Sequence, residues 1–158
     1  MLSLVKVPSK LLRKPSLPVV FPIPYDQRIL LESLLPLCSK YRGVGLAAPQ
    51  VGISLQAFAI KAWGTPDKSK NDGVVLVNPT IIDPSNDTQL VEEGCLSIPK
   101  SVFTVKRPAS LTLIAFTLDG DRVMERLSGL VAQCVSHEVD HLRGRLVCDL
   151  LKQGVLDG

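Results

Sequence analysis

Residues 134–144 read CVSHEVDHLRG and hold both histidines of the chain, four positions apart, with a glutamate beside the first. On an α-helix such positions lie one turn above each other on the same face, so His137 and His141 can reach one cation together. Glu138 is turned about 100° from His137 and can address a water at that cation without being a ligand itself. Two histidines placed at random in 158 residues fall at this separation roughly once in eighty placements, before any glutamate is required. Leu130, Val131, Cys134, Val135 and Leu142 make the segment apolar nearly all round, which buries it. Two buried imidazoles without partners are costly, and metal ligation supplies the partner. The stretch therefore reads as a buried helix, started by a Ser128 cap and ended by Gly144 at its C′ position, that carries a divalent-metal hydrolase motif.

A catalytic metal site needs a third protein ligand and one open position. Zincin-type peptidases find that ligand downstream, as a glutamate or a further histidine. Here the residues after His141 contain neither, and Cys148 and Asp149 sit in a short tail with little room to fold back. The third ligand is expected upstream. Cys134 is seven residues from His141, about 10.5 Å along the helix axis, so it is badly placed to share their cation and is expected to line the cavity instead. Cys95 is the better candidate, because EEGCLSIP (92–99) presents a thiol after a glycine at a strand end, where backbone can approach a site closely.

The rest of the chain fits an α+β domain. A proline-rich entry, residues 8 to 24, reads as an ordered, extended lead-in. Asp26 can cap a helix running to about Tyr41 with a kink at Pro36. GVGLAAPQVG (43–52) reads as a loop of small residues, and 64 to 73 as a polar loop. Strands are expected at 55–62, 74–78, 81–83, 88–91, 102–106, 111–118 and 122–127, with Asp119-Gly120 as a hairpin turn. Strands preceding one buried helix give the α+β class, and the length suits a single domain over residues 1–158.

Composition excludes several function classes. At 46% hydrophobic and a mean hydropathy of +0.25, the chain still has no apolar run near the ~20 residues of a membrane span. A net charge of +3 with 4% aromatic residues gives no nucleic-acid signature. Lys6, Lys10, Arg13 and Lys14 could suggest a transit peptide, but the interspersed prolines oppose a targeting helix, so organelle import is not expected. Four cysteines without CxxC spacing fit a reducing, cytoplasmic compartment.

GVGLAAPQ (43–50), EGCLSIP (93–99) and HEVDHLRG (137–144), in this order and spacing, resemble the peptide deformylase family, and VPSKLLRKPSLPV near the N-terminus is similar to that family's start. The resemblance implies mostly antiparallel β-sheets packed around a central helix that bears the His-Glu-x-x-His motif. It implies removal of the formyl group from N-formylmethionyl nascent peptides by a metal-bound hydroxide. Cys95, His137 and His141 would hold one divalent ion, with Fe2+ favoured and Zn2+, Ni2+ or Co2+ also suited to the donors. Glu138 would act as general acid and base, and the Gln50 amide and Leu96 N–H would stabilise the oxyanion. Gly43 and Gly45 would let the loop approach an extended peptide, Gly45 beside the reacting groups, while the peptide pairs with the strand near Ile98.

Val44, Val91, Leu130 and Cys134 are candidates for the methionine pocket, and Glu93 for a partner of Arg107. Ser136 and Gln133 depart from the glutamine and the apolar residue common in the family. The chain ends soon after the helix, as in compact forms carried by some phages, which leaves ribosome association open; a monomer is expected. Two alternatives remain from the residues themselves: a His-Glu-x-x-His endopeptidase, and a non-catalytic, metal-stabilised module that binds nascent chains.

Overall fold

The computed structural model describes residues 1–61, 63 and 73–152. Helices α1 (Tyr25–Glu32) and α2 (Leu34–Lys40) precede seven strands: β1 (Gly45–Ala47), β2 (Ala57–Ile60), β3 (Val74–Ile82), β4 (Thr88–Cys95), β5 (Ile98–Pro108), β6 (Ser110–Phe116) and β7 (Arg122–Ser128). Helices α3 (Gly129–Leu142) and α4 (Asp149–Lys152) follow. The strands form an antiparallel five-stranded sheet, ordered β1-β2-β3-β6-β7, and a separate β4-β5 hairpin. The architecture is α+β with antiparallel sheets.

The large sheet is covered on both faces, and β2 shows how the sequence achieves this. Successive side chains of a strand point to opposite faces. Phe58 and Ile60 join Leu76, Leu111, Leu113 and Ala115 against Ala132, Val135, Val139 and Leu142 of α3. Ala57 and Ala59 join Leu31, Leu34 and Cys38 of α1 and α2 on the other side. Each large side chain so buried contributes about 1.5–3 kcal/mol. A third cluster fastens the hairpin to the segment after α3 through Cys95, Val105, Val147 and Leu150.

The proline-rich lead-in belongs to the fold and stitches its separate parts together. Val5 N–H donates to the Gln50 carbonyl at 2.7 Å, Val7 N–H to that of Ser97 at 2.9 Å, and Ser16 N–H to that of Leu142 at 2.9 Å. Each of the three sequence motifs therefore receives a hydrogen bond from the first 16 residues. Gly144 ends α3 at φ +74, and a Cβ there would strike the Arg13 carbonyl, so glycine meets a conformational and a steric demand at once.

Several local expectations are corrected. The single kinked helix is two helices broken at Ser33, and Pro36 lies in the first turn of α2, where its missing N–H is not needed. Pro24, not Asp26, holds the N-cap position of α1, with Asp26 in the first turn. Ser128 holds that position of α3, but its side chain makes no capping bond. Residues 43–52 are not all loop, because Gly45–Ala47 pair with Phe58–Ile60 as β1 and a 3-10 turn, Ala48–Val51, follows. The two short strands either side of Pro79 are one strand, interrupted where Asn78 takes φ +51 and its amide exchanges two 2.8 Å bonds with the Val19 backbone. The loop expected at 64–73 falls outside the described residues except for Gly73.

Candidate active site

The hairpin is longer than the expected strands at 88–91 and 102–106, and the extension positions Cys95. Strand β4 runs on through Glu92 and Glu93, residues of low strand preference, to end at Cys95 opposite Ile98. Cys95 thus arrives beside the buried face of α3. Its Sγ lies 3.4 Å from Nε2 of His141, which lies 3.2 Å from Nε2 of His137. The three donor atoms fall within 4.8 Å of one another, and all three residues are buried.

These donors suit a metal ion. Tetrahedral ligation at about 2.0–2.3 Å sets neighbouring nitrogen and sulfur donors about 3.3–3.7 Å apart, near the spacings observed. Among the described residues, Nδ1 of His141 has no hydrogen-bond partner. His137 is oriented by Glu93, whose Oε1 accepts from Nδ1 at 2.8 Å and leaves Nε2 facing the other donors. Arg107 in turn grips both Glu93 oxygens at 2.8 Å and reaches Asp140 at 2.7 Å. The expected Glu93–Arg107 pair is therefore present, extended at one end by His137 and at the other by Asp140.

The electrostatics follow from this burial and pairing. Burial alone would raise the Glu93 carboxyl, but Arg107 and His137 hold it at about 2. Burial would lower His137, but Cys95 and Glu93 outweigh it and raise the imidazole to about 10. Burial and the neighbouring His137 push His141 down. The facing Nε2 atoms can thus share one proton, which competes with a cation for the same lone pairs. Burial pushes Glu138 up to about 7 and the Cys134 thiol up to about 12.

Around these groups opens a cleft of about 550 Å³, lined by Gly43, Val44, Gly45, Gln50, Leu96 and Ile98 and by Gln133, Cys134, His137 and Glu138 of α3. Gln50 is held with its amide toward the site, because Oε1 accepts from Ala47 N–H at 2.9 Å while Nε2 donates to Ser97 Oγ at 3.2 Å and approaches Cys95 Sγ at 3.7 Å. Glu138 Oε1 would lie 2.6 Å from a Cβ at Gly45, and its Oε2 is buried without a hydrogen-bond partner among the described residues. Of the pocket candidates, Val44 and Cys134 line the cleft, whereas Val91 packs with the Cys95 cluster and Leu130 is 57% exposed in the first turn of α3.

The sequence profile of polypeptide deformylase matches residues 1–155. The chain belongs to the peptide deformylase family. The peptide deformylase of Afipia carboxidovorans is 38% identical over 95% of the chain and 86% of its own length. A probable peptide deformylase from Synechococcus phage S-SSM7 superposes with a TM-score of 0.87 at 33% identity, covering 95% of the chain and 99% of its own. The Met-Ala-Ser-bound class I type b enzyme of Acinetobacter baumannii gives 0.85 at 31% identity, covering 95% and 98%. The family and the Cys95, His137, His141 cluster together imply one bound metal ion.

The two departures from the deformylase pattern have local explanations. Ser136 Oγ donates to the Ala132 carbonyl one turn back at 2.8 Å, so the hydroxyl is satisfied within α3. Gln133 Nε2 donates to the Glu92 carbonyl at 3.3 Å, which ties α3 to β4 at the edge of the cleft. Ser97 and Asp140 were not singled out by the sequence, although both lie inside the motifs; each acts on a neighbour, Ser97 on Gln50 and Asp140 on Arg107. Among the described residues, no helix is long and apolar enough to cross a membrane.

Proposed function

We propose that the chain hydrolyses the formyl amide at the N-terminus of formylmethionyl nascent peptides in the cytoplasm, releasing formate, with the helix bearing His137, Glu138 and His141 at the centre of the site. The observation that carries this reading is the meeting of all three motifs in one cleft, which brings together the clustered donors of Cys95, His137 and His141 and a buried Glu138 oxygen with no hydrogen-bond partner among the described residues. Cys95, His137 and His141 would hold one divalent ion, which would supply Lewis acidity and make the attacking water more acidic. Ferrous iron is the favoured ion, and zinc, nickel and cobalt suit the same donors.

Glu138 Oε2 takes the proton of the attacking water and returns it to the departing amine nitrogen. As charge builds on the formyl oxygen, Gln50 Nε2–H and the Leu96 N–H donate to it. The cleft wall at Val44 and Cys134 receives the methionine side chain, and the peptide backbone runs beside Ile98. Freshly metallated protein should release formate from formyl-Met-Ala-Ser and lose that activity on chelation. No release with one metal bound per chain, or cleavage of internal bonds in unformylated peptides instead, would overturn the reading.

Gly45 offers a second check. Because a Cβ there meets Glu138 Oε1 at 2.6 Å, Gly45→Ala must move the buried carboxylate, and metal content measured alongside separates that effect from loss of the ion. A displacement near 1 Å can cost on the order of 100-fold in turnover. A kcat within threefold of the parent would remove Gly45 from the catalytic set.

A further inference from the structure

The cleft's rim carries two cations that the chemistry of deformylation does not use. Arg42 immediately precedes Gly43, and Lys100 lies two positions after Ile98; both line the cleft and both are exposed. Both also take left-handed backbone angles, φ +58 and φ +61, which side chains other than glycine, asparagine and aspartate seldom adopt. Neither residue makes an ion pair among the described residues. The lining contains one carboxylate, Glu138, which is 4% exposed and lies at the floor. The entrance therefore presents positive charge with no acidic group of the lining to offset it.

We propose that Arg42 and Lys100 select nascent peptides with an acidic residue shortly after the formylated methionine, an inference that rests on the deformylase reading. A cleft of about 550 Å³ accommodates a ligand of small-molecule size, so a longer peptide must leave across the rim. The geometry picks the third residue. Lys100 lies two residues after Ile98, in the irregular stretch 99–101 where β5 leaves its register with β4, and in an extended peptide with its methionine beside Ile98 the third residue is the next side chain on the methionine's face. Arg42 lines the same cleft and is exposed at its surface. A carboxylate there gains from both cations, and an ammonium group is repelled by both.

The test uses C-terminally amidated peptides, so that the chain-end carboxylate of a short substrate cannot substitute for an acidic side chain. Formyl-Met-Ala-Glu-amide, formyl-Met-Ala-Gln-amide and formyl-Met-Ala-Lys-amide are compared by kcat/KM on metallated protein. Two exposed pairs should favour the glutamate over the lysine peptide by about threefold to tenfold at low salt, and the ratio should shrink toward one in about 0.5 M salt. Arg42→Glu and Lys100→Glu, tested separately, should each lower that ratio, and together invert it. A ratio near one in the parent protein overturns the proposal, as does a ratio that neither substitution changes. Formate release from the glutamine peptide reports on deformylation itself, so selectivity can fail while that reading stands. No release from any of the three overturns both.

Discussion

Glu138→Gln is expected to lower kcat for deformylation by about a hundredfold to ten-thousandfold while the protein still binds one metal ion. The expectation follows from where the two carboxylate oxygens lie. Oε1 lies against Gly45, and Oε2 is buried with no partner among the described residues. An unpartnered buried carboxylate oxygen is costly, and in the proposed mechanism its partner during turnover is the water or amine that exchanges the proton. Burial holds this group up to about 7, where it can both accept a proton and give it back near neutral pH. Glutamine preserves the shape and removes the proton transfer, and Glu138 is not among the three clustered metal donors. Metal content by elemental analysis should therefore match the parent, while formate release collapses. A variant that keeps turnover within tenfold would assign the proton transfer to another group.

The parts of this molecule that were legible in the sequence are those whose signal is local. The helix was readable because an apolar surface all round Leu130 to Leu142 and the i, i+4 histidines share one period. Cys95 was readable by elimination, since the tail beyond His141 offers no glutamate or histidine and Gly94 marks a close backbone approach. What escaped has a non-local cause. Strand β1 owes its existence to pairing with Phe58–Ile60, and its three residues, Gly45–Ala47, are too few to show a period of their own. The break at Ser33 depends on how α1 and α2 pack on the alanine face of β2. Val91 and Leu130 have the apolar character of a pocket wall, and only the tertiary arrangement turns the first into the hairpin core and the second to solvent. The role of Asp140 was hidden because Arg107, its partner, is 33 residues away in sequence.

Removing that arginine should damage the protein more than removing any surface cation. Glu93 and Arg107 are both about 5% exposed and joined by two parallel 2.8 Å bonds, with His137 and Asp140 at the ends of the chain. Arg107→Met leaves Glu93 buried as a charge without its main partner, a change that costs about 3–5 kcal/mol. Against a total stability of about 5–15 kcal/mol for a domain, the denaturant midpoint should fall steeply. Arg107→Lys should recover only part of it, since an ammonium group cannot hold both oxygens in the planar fork.

The same network predicts acid sensitivity, with a definite sign. Glu93 is depressed on folding from 4.5 to about 2, so its contribution is present above about pH 4.5 and is lost as pH falls toward 2. That difference corresponds to about 3 kcal/mol. Acid also protonates the metal-binding histidines, so the comparison belongs in chelated protein, between the parent and Glu93→Gln, which cannot ionise at that position. The parent should lose stability relative to the variant across this window, measured as denaturant midpoints at successive pH values. Parallel pH profiles for the two proteins would show that Glu93 carries no such linkage, and the buried pair would then owe its place to orienting His137 alone.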